Sequence, residues 1–482
     1  MIKEIKTHLK NYLPYLLLIV VLYFAFFWRL NGALLWRDEA TTACWARVVA
    51  KSNSLIPKVV DGEQLIVQGS KGHDFNENFS PSMQGWLQFY IGALVFKILG
   101  VNTFTARLPF VLLGIIGIFL FYLIFKLLFD SKRLAFIATF LCSLSLPYLH
   151  YARQSRYYAL VLLISLALIY EMSKYLKDPE KYHSYSFFIR VGIYGILLFF
   201  SNYFTFGIFW VGLLLAIPIV REKRFTLGLL STTIVISALI VPVMIIVHSS
   251  FISRSEIANF TYLSDYWDWL LLSFRRVNYL LPLIPLFLIG IFVLWRYPQH
   301  TGSHRKLIVW LWSVLISTLV VSVILNKSNA FLRYYLHVIP IAMILIGVYT
   351  YWAKAIFGKT VALILFAILF IYHSWTPILN HSEAVVKRQF MKDDSVSQPM
   401  IEFLRENVKP RESVAFITND KGMVAYFYLP YLKWYGILES TNPYNQVYKT
   451  KLIQGMFDDY SEIDWVVVWA VQGLPARVEI GY

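Results

Sequence analysis

The chain is divided by apolar runs, most of them long enough to cross a bilayer as a helix, and few folds accommodate that pattern. A spanning helix needs about 20 mostly apolar residues. Runs of this kind stand at roughly 11–30, 82–99, 107–128, 134–150, 157–172, 189–220, 226–247, 277–295, 307–325, 334–353 and 359–376. Counted singly, they predict about eleven transmembrane helices. Backbone groups cannot be left unpaired in lipid, so the expected class is an all-α polytopic membrane protein. Composition agrees: of 482 residues, 58% are hydrophobic and only 15% charged, too apolar for an ordinary soluble domain.

The formal charge of +16 raises nucleic acid as a partner. However, Lys and Arg gather in short stretches between apolar runs, as orientation signals facing an anionic cytoplasmic leaflet do, and no recognition motif accompanies them. Lys3, Lys6 and Lys10 precede the first run, which predicts a cytoplasmic N-terminus. An odd number of spans then puts the C-terminal region outside the membrane. The basic connections Arg221-Glu222-Lys223-Arg224, His304-Arg305-Lys306 and 354–359 fall on the cytoplasmic side. Two features resist the count: Lys126, Lys132 and Arg133 would lie outside, and the run 189–220 can hold a break near Ser201-Asn202-Tyr203. Cys44 and Cys142 are too few and too far apart for a disulfide framework or a zinc module.

Beyond residue 378 the composition turns mixed and polar. A helical stretch at Pro399–Val408 and strand-like stretches at Ser413–Thr418 and Asp464–Trp469 predict a small C-terminal α/β soluble domain over 379–482. The membrane domain would be 1–378, with residues 31–80 as its first extracytoplasmic loop. That loop is too long for a hairpin, which points to function.

Chemistry-bearing residues concentrate at the ends of the runs. Asp38 and Glu39 follow the first run, where a carboxylate can serve as general base between a polar and a lipid-borne substrate. They also suit a plain helix start, because acids are favoured in a first turn. The loop ends in His73-Asp74-Phe75-Asn76-Glu77-Asn78-Phe79-Ser80-Pro81. There Glu77 is either part of a solvated loop end or a metal ligand partnered by His248 at the close of a later run. Arg153-Gln154-Ser155-Arg156-Tyr157-Tyr158 and Arg333-Tyr334-Tyr335 set guanidinium groups beside tyrosines, and Arg254 lies shortly after His248. Such groups recognise phosphate through a planar fork of donors, with Tyr lining a substrate; interfacial anchoring is the plainer alternative.

The order of these motifs resembles the GT-C superfamily of integral-membrane glycosyltransferases. The first span is followed by Asp38-Glu39, a long loop ending Asn78-Phe79-Ser80-Pro81, Thr105-Ala106-Arg107-Leu108-Pro109-Phe110, the Arg153–Tyr158 motif, and Arg333-Tyr334-Tyr335-Leu336 with Pro340. Within that superfamily it is most similar to the protein O-mannosyltransferase and lipid A aminoarabinose transferase branch. The resemblance implies an inverting transfer, outside the membrane, of a sugar from a polyprenyl-phosphate donor to a lipid, glycan or protein acceptor. It makes Asp38 the base, with Glu39 in support, and Arg254 a donor-phosphate ligand. The Arg-Tyr motifs themselves add Arg333, Arg153 and Arg156 as candidate phosphate ligands and Tyr334, Tyr335 and Tyr157 as substrate-lining residues, although the count of spans places Arg153 on the cytoplasmic side. A zinc-like divalent metal at Glu77 and His248 is implied, with no nucleotide cofactor, and so is a place in a bacterial inner membrane. The aminoarabinose transferases carry Lys where this chain has Asn78, and many bacterial relatives carry His-Pro-Pro where it has Phe79-Ser80-Pro81. A transporter or flippase of a lipid-linked or anionic substrate is the alternative; it predicts broken spans in two related halves.

Overall fold

The computed structural model describes residues 16–52, 57, 85–129, 131–182, 184–254, 263–298, 304–325, 332–381, 397–410, 412–417, 422–437 and 465–468. Its main helices are α1 (Leu16–Phe27), α2 (Arg37–Lys51), α3 (Leu87–Leu99), α4 (Thr103–Phe129), α5 (Lys132–Ser143), α6 (Leu146–Ala152), α7 (Tyr158–Lys177), α8 (Tyr185–Ser201) and α9 (Tyr203–Leu214). They continue as α10 (Lys223–Arg254), α11 (Leu263–Leu280), α12 (Leu283–Arg296), α13 (His304–Leu325), α14 (Val338–Phe357), α15 (Lys359–His381), α16 (Ser397–Asn407) and α17 (Gly422–Tyr428). Strands β1 (Ser413–Ile417), β2 (Lys433–Ile437) and β3 (Trp465–Val468) belong to the tail. Two compact units result: one of residues 1–30, 110–243 and 255–391, the other of residues 31–109, 244–254 and 392–482.

The first unit is a bundle of apolar helices. Among the described residues, seven helices are long and apolar enough to cross a membrane, and two bent pairs pass the same test together. The chain is a multi-pass membrane protein. Helix α7 is its axis, with 83% of its most apolar window buried, against 17% for the same window in α10. The bundle leaves leucines and isoleucines such as Ile234 and Leu239 exposed on α10, as a lipid-facing helix would.

The two bends have local causes. Between α5 and α6, bent by 65°, Ser145 caps α6 by accepting from the Tyr148 N–H, and Pro147 occupies its first turn. Between α11 and α12, bent by 73°, Pro282 lacks an N–H and the Asn278 side chain accepts from the Leu283 N–H at 3.0 Å. His373 of α15, fully buried, ties both breaks together: Nδ1 donates to the Leu280 carbonyl at 2.8 Å and Nε2 lies 3.1 Å from Ser145 Oγ.

Two runs behave differently from their expectation as single spans. The run 189–220 is two helices, because Asn202 closes α8 and caps α9 by accepting from the Thr205 N–H at 2.8 Å. The two fold back on each other, so that a Cβ on Gly195 would meet the Trp210 ring at 2.7 Å. The run 82–99 yields only the 13 residues of α3. At about 1.5 Å rise per residue, α3 is roughly 20 Å long, short of a hydrocarbon core of about 30 Å. It lies in the second unit against α2, where Trp45 and Phe89 are 6.1 Å apart and Gly92 lets the backbones approach: a Cβ there would sit 2.8 Å from Ala46 Cβ.

Capping contacts mark the ends of the bundle. Arg153 donates to the Ala25 and Trp28 carbonyls where α1 finishes. Where α4 finishes, the Leu127 and Leu128 carbonyls accept from Lys177 Nζ and His304 Nε2, each at 2.7 Å. Arg153 thus lies where α1 finishes, whereas the count of single spans puts it at the end where α1 begins.

In the second unit, the tail carries a parallel sheet of order β2-β1-β3, with Ser413 opposite Lys433 and Val414 opposite Trp465. Parallel neighbours need a crossover, and α17 lies in the connection from β1 to β2. Linear reading separates residues 379–482 as a domain, whereas the structure groups the tail with the first loop. Helix α17 packs on α2, where the Arg47 guanidinium stands 4.5 Å over the Tyr426 ring and Nη1 donates to the Phe427 carbonyl at 3.4 Å.

Candidate active site

Each unit holds one cluster of the residues singled out in the sequence. In the second unit, Asp38 and Glu39 occupy the first turn of α2, where the exposed N–H groups favour acids. They are held very differently. Glu39 is 1% exposed and clamped by Arg107, whose Nε donates to Oε1 at 2.9 Å and whose Nη2 donates to Oε2 at 2.6 Å. Oε2 also accepts from the Trp36 N–H at 3.3 Å, as the third residue of a helix does when it caps its own start. Arg107 has donors to spare, and they go to the carbonyls of Ala33 at 2.9 Å and Leu34 at 3.1 Å.

The clamp is positioned by the start of α4. The Asn102 side chain accepts from the Thr105 N–H at 2.9 Å, and Thr105 Oγ1 accepts from the Asn102 N–H at 3.0 Å. This reciprocal cap puts Arg107 in the helix's second turn. Asp38, one residue from the clamp, stays half-buried, and its carbonyl accepts from the Thr42 hydroxyl at 3.1 Å. Sequence reasoning quoted Arg107 within a motif but gave it no role. The available signal was that an arginine at the mouth of an apolar run needs a partner, and Glu39 is the acid that meets it.

In the first unit, the two Arg-Tyr motifs converge. The Arg156 guanidinium lies 5.5 Å from the Tyr157 ring and that of Arg333 lies 5.7 Å from the Tyr334 ring. Arg333 lies in the neighbourhood of both Tyr151 and Tyr157, and Tyr334 in that of Tyr157. Edge-to-face contacts of Tyr151 with Tyr158 at 5.3 Å, and of Tyr157 with Tyr158 at 4.8 Å, extend the cluster into an aromatic wall. Two expected members have structural work instead. Arg153 caps α1, and Tyr335, fully buried, donates its hydroxyl to Ser273 Oγ at 2.9 Å.

Glu77 and the side chains of His248 and Arg254 lie outside the described residues. Among the described residues, no group of three or more His, Cys, Asp or Glu is placed to hold a metal.

A many-helix membrane bundle, a helix that opens on two acids and an arginine-tyrosine cluster define a class rather than a single protein. Residues 83–247 match the family described as dolichyl-phosphate-mannose-protein mannosyltransferase. The fold resembles ArnT from Cupriavidus metallidurans bound to undecaprenyl phosphate, with a TM-score of 0.55 and 14% identity over 94% of this chain and 89% of that one. The apo form of the same protein gives 0.54 and 14%, over 89% and 85%. A search of curated proteins finds no match. The chain is thus similar to the GT-C integral-membrane glycosyltransferases, the resemblance already carried by its motifs.

Proposed function

We propose that the protein is an inverting glycosyltransferase that moves a sugar from a polyprenyl-phosphate donor to a hydroxyl or amine of a lipid, glycan or protein acceptor. The observation that carries the assignment of the base is the different exposure of the two adjacent acids. Glu39 is buried in its clamp with Arg107, while Asp38, in the same turn, is only half-buried. Asp38 removes the acceptor's proton as the acceptor attacks the anomeric carbon and the polyprenyl phosphate leaves. Arg333 and Arg156 bind that phosphate and stabilise the charge that grows on it. Tyr157 and Tyr334 supply ring faces for sugar or isoprenoid. Glu77 and His248 are the proposed ligands of a zinc-like divalent metal.

We propose the sidedness from the same bundle. With α3 left out of the count and α8 and α9 counted separately, this reading again gives eleven crossings. The described helices that support the count are α1, α4, α5/α6, α7, α8, α9, α10, α11/α12, α13, α14 and α15. Lys126, Lys132 and Arg133 then move to the cytoplasmic side with Lys177 and His304, and the Arg153–Tyr158 motif moves outside with Arg333. The tail becomes an extracytoplasmic α/β domain docked on the first loop. The bacterial inner membrane is its proposed location.

A transporter would also contain broken spans, and this bundle has two. Their polar groups are consumed by Ser145, His373 and Asn278, which favours transfer over transport. Purified protein given labelled polyprenyl-phosphate sugar should lose transfer by about 10²–10⁴-fold on Asp38→Asn, the range typical of general-base removal. Donor binding should persist, and an Asp38→Asn enzyme of normal turnover would sink the assignment.

A further inference from the structure

The polar groups just before Asp38 are unusually well satisfied for a loop. Between Ala33 and Trp36, Arg107 holds the Ala33 and Leu34 carbonyls and Glu39 holds the Trp36 N–H. The remaining bond comes from a residue nearly four hundred positions away. The Leu35 N–H donates to the Tyr428 hydroxyl at 2.9 Å, and the same hydroxyl shares a 2.8 Å hydrogen bond with Thr103 Oγ1 at the start of α4. Tyr428 is the last residue of α17, and α17 is fixed to α2 further along by Arg47 over Tyr426. Leu35 itself is 1% exposed, so water cannot replace the phenol there. A tail that served only as an appended domain would have no reason to spend a hydroxyl on the backbone of the turn that carries the proposed base.

From this geometry we infer that Tyr428 is a positioning residue for catalysis: the C-terminal tail, through its hydroxyl, sets the entry of α2 and thereby the placement of Asp38. The inference rests on Asp38 acting as the base. Burial raises the phenol above its ordinary range, so it stays protonated and polar rather than ionic across the physiological range. Its role is to fix geometry, since it touches neither reacting group. Displacing a general base by a fraction of an ångström chiefly lowers turnover, because the reacting atoms must meet in a narrow range of distances.

The test is steady-state kinetics of the full-length protein in detergent or nanodiscs, with labelled polyprenyl-phosphate sugar as donor. Tyr428→Phe keeps the ring and removes only the hydroxyl. It should lower kcat about tenfold, equivalent to about 1.4 kcal/mol, with the donor KM and melting temperature unchanged. Thr103→Val, which removes the other partner of that hydroxyl, should show the same split to a smaller degree. Tyr431→Phe, on the exposed surface after α17, should behave as wild type. In an Asp38→Asn background, Tyr428→Phe should have no further effect on residual turnover, because the two act through one group. Unchanged kcat in Tyr428→Phe, or a fall matched by a lower melting temperature, would overturn the positioning role. Normal turnover in Asp38→Asn alone would overturn the base assignment, and the two failures are read from different variants.

Discussion

The two clusters solve opposite problems with the same residue type. In the second unit, Arg107 spends its donors on one carboxylate and two carbonyls, all within the chain, and the result is a rigid turn. In the first unit, Arg156 and Arg333 face tyrosine rings, and Arg333 lies in the neighbourhood of Tyr151 and Tyr157, distant in sequence. A guanidinium locked into a buried ion pair builds structure. One set against aromatic faces suits an anion with an apolar or sugar-bearing tail. The contrast assigns stability to Arg107, and it is the proposed phosphate role of Arg333 that the variants below test.

The sharpest way to break it is to remove Arg107. Arg107→Ala leaves the Glu39 carboxylate buried without its guanidinium, a situation that typically costs about 3–5 kcal/mol. We expect a large drop in the midpoint of thermal or denaturant unfolding, with transfer lost alongside. Arg107→Ala protein that melts normally would show that the clamp is not structural. His373→Leu offers the matching test in the first unit. It strands the Leu280 carbonyl and the Ser145 hydroxyl at the two breaks, and each buried unsatisfied group costs about 1–3 kcal/mol. A neutral His373→Leu would mean the bends are held by their prolines and caps alone.

Arg333→Gln should reverse the pattern. Loss of a charge-assisted contact to phosphate is worth about 1.5–3 kcal/mol, so the donor KM should rise by at least tenfold while the melting temperature stays put. A variant that loses stability and keeps its donor KM would move Arg333 into the same structural group as Arg107 and Arg153.

Much of this was legible in the sequence, for identifiable reasons. That the chain forms a bundle of apolar helices follows from run length, because lipid permits little else, and the tail's strands at Ser413–Ile417 and Trp465–Val468 fall within the stretches expected from their β-branched and aromatic residues. What misled was α3: its composition suits a span, but run length does not say whether a helix faces lipid or a neighbour such as α2. In the proposed reading, leaving that one element out of the count moves Lys126 to Arg133 and Arg153 to the opposite ends of the bundle. The pairing of Glu39 with Arg107 and of Leu35 with Tyr428 could not be read at all, since contacts across 68 and 393 positions depend on packing rather than on local pattern.

The smallest effect probes how firmly the outer turn is shut. Cys44 lies one turn beyond the Asp38-Glu39 pair on the buried face of α2, fully enclosed, and burial pushes its thiol up to about 12, with Arg47 pulling slightly the other way. The thiolate is the reactive form, so in a Cys142→Ser background native protein should resist maleimide at pH 8 and react only when unfolded. The sign of the linkage is fixed: a raised thiol value contributes stability in full below its ordinary value of 9.0, and this fades as the pH climbs towards about 12. Labelling should quicken in Arg107→Ala, where α2 opens more often, and stay slow in Arg333→Gln, where it does not. Equal labelling of the two variants would erase the distinction between a guanidinium that holds the fold and one that holds a ligand.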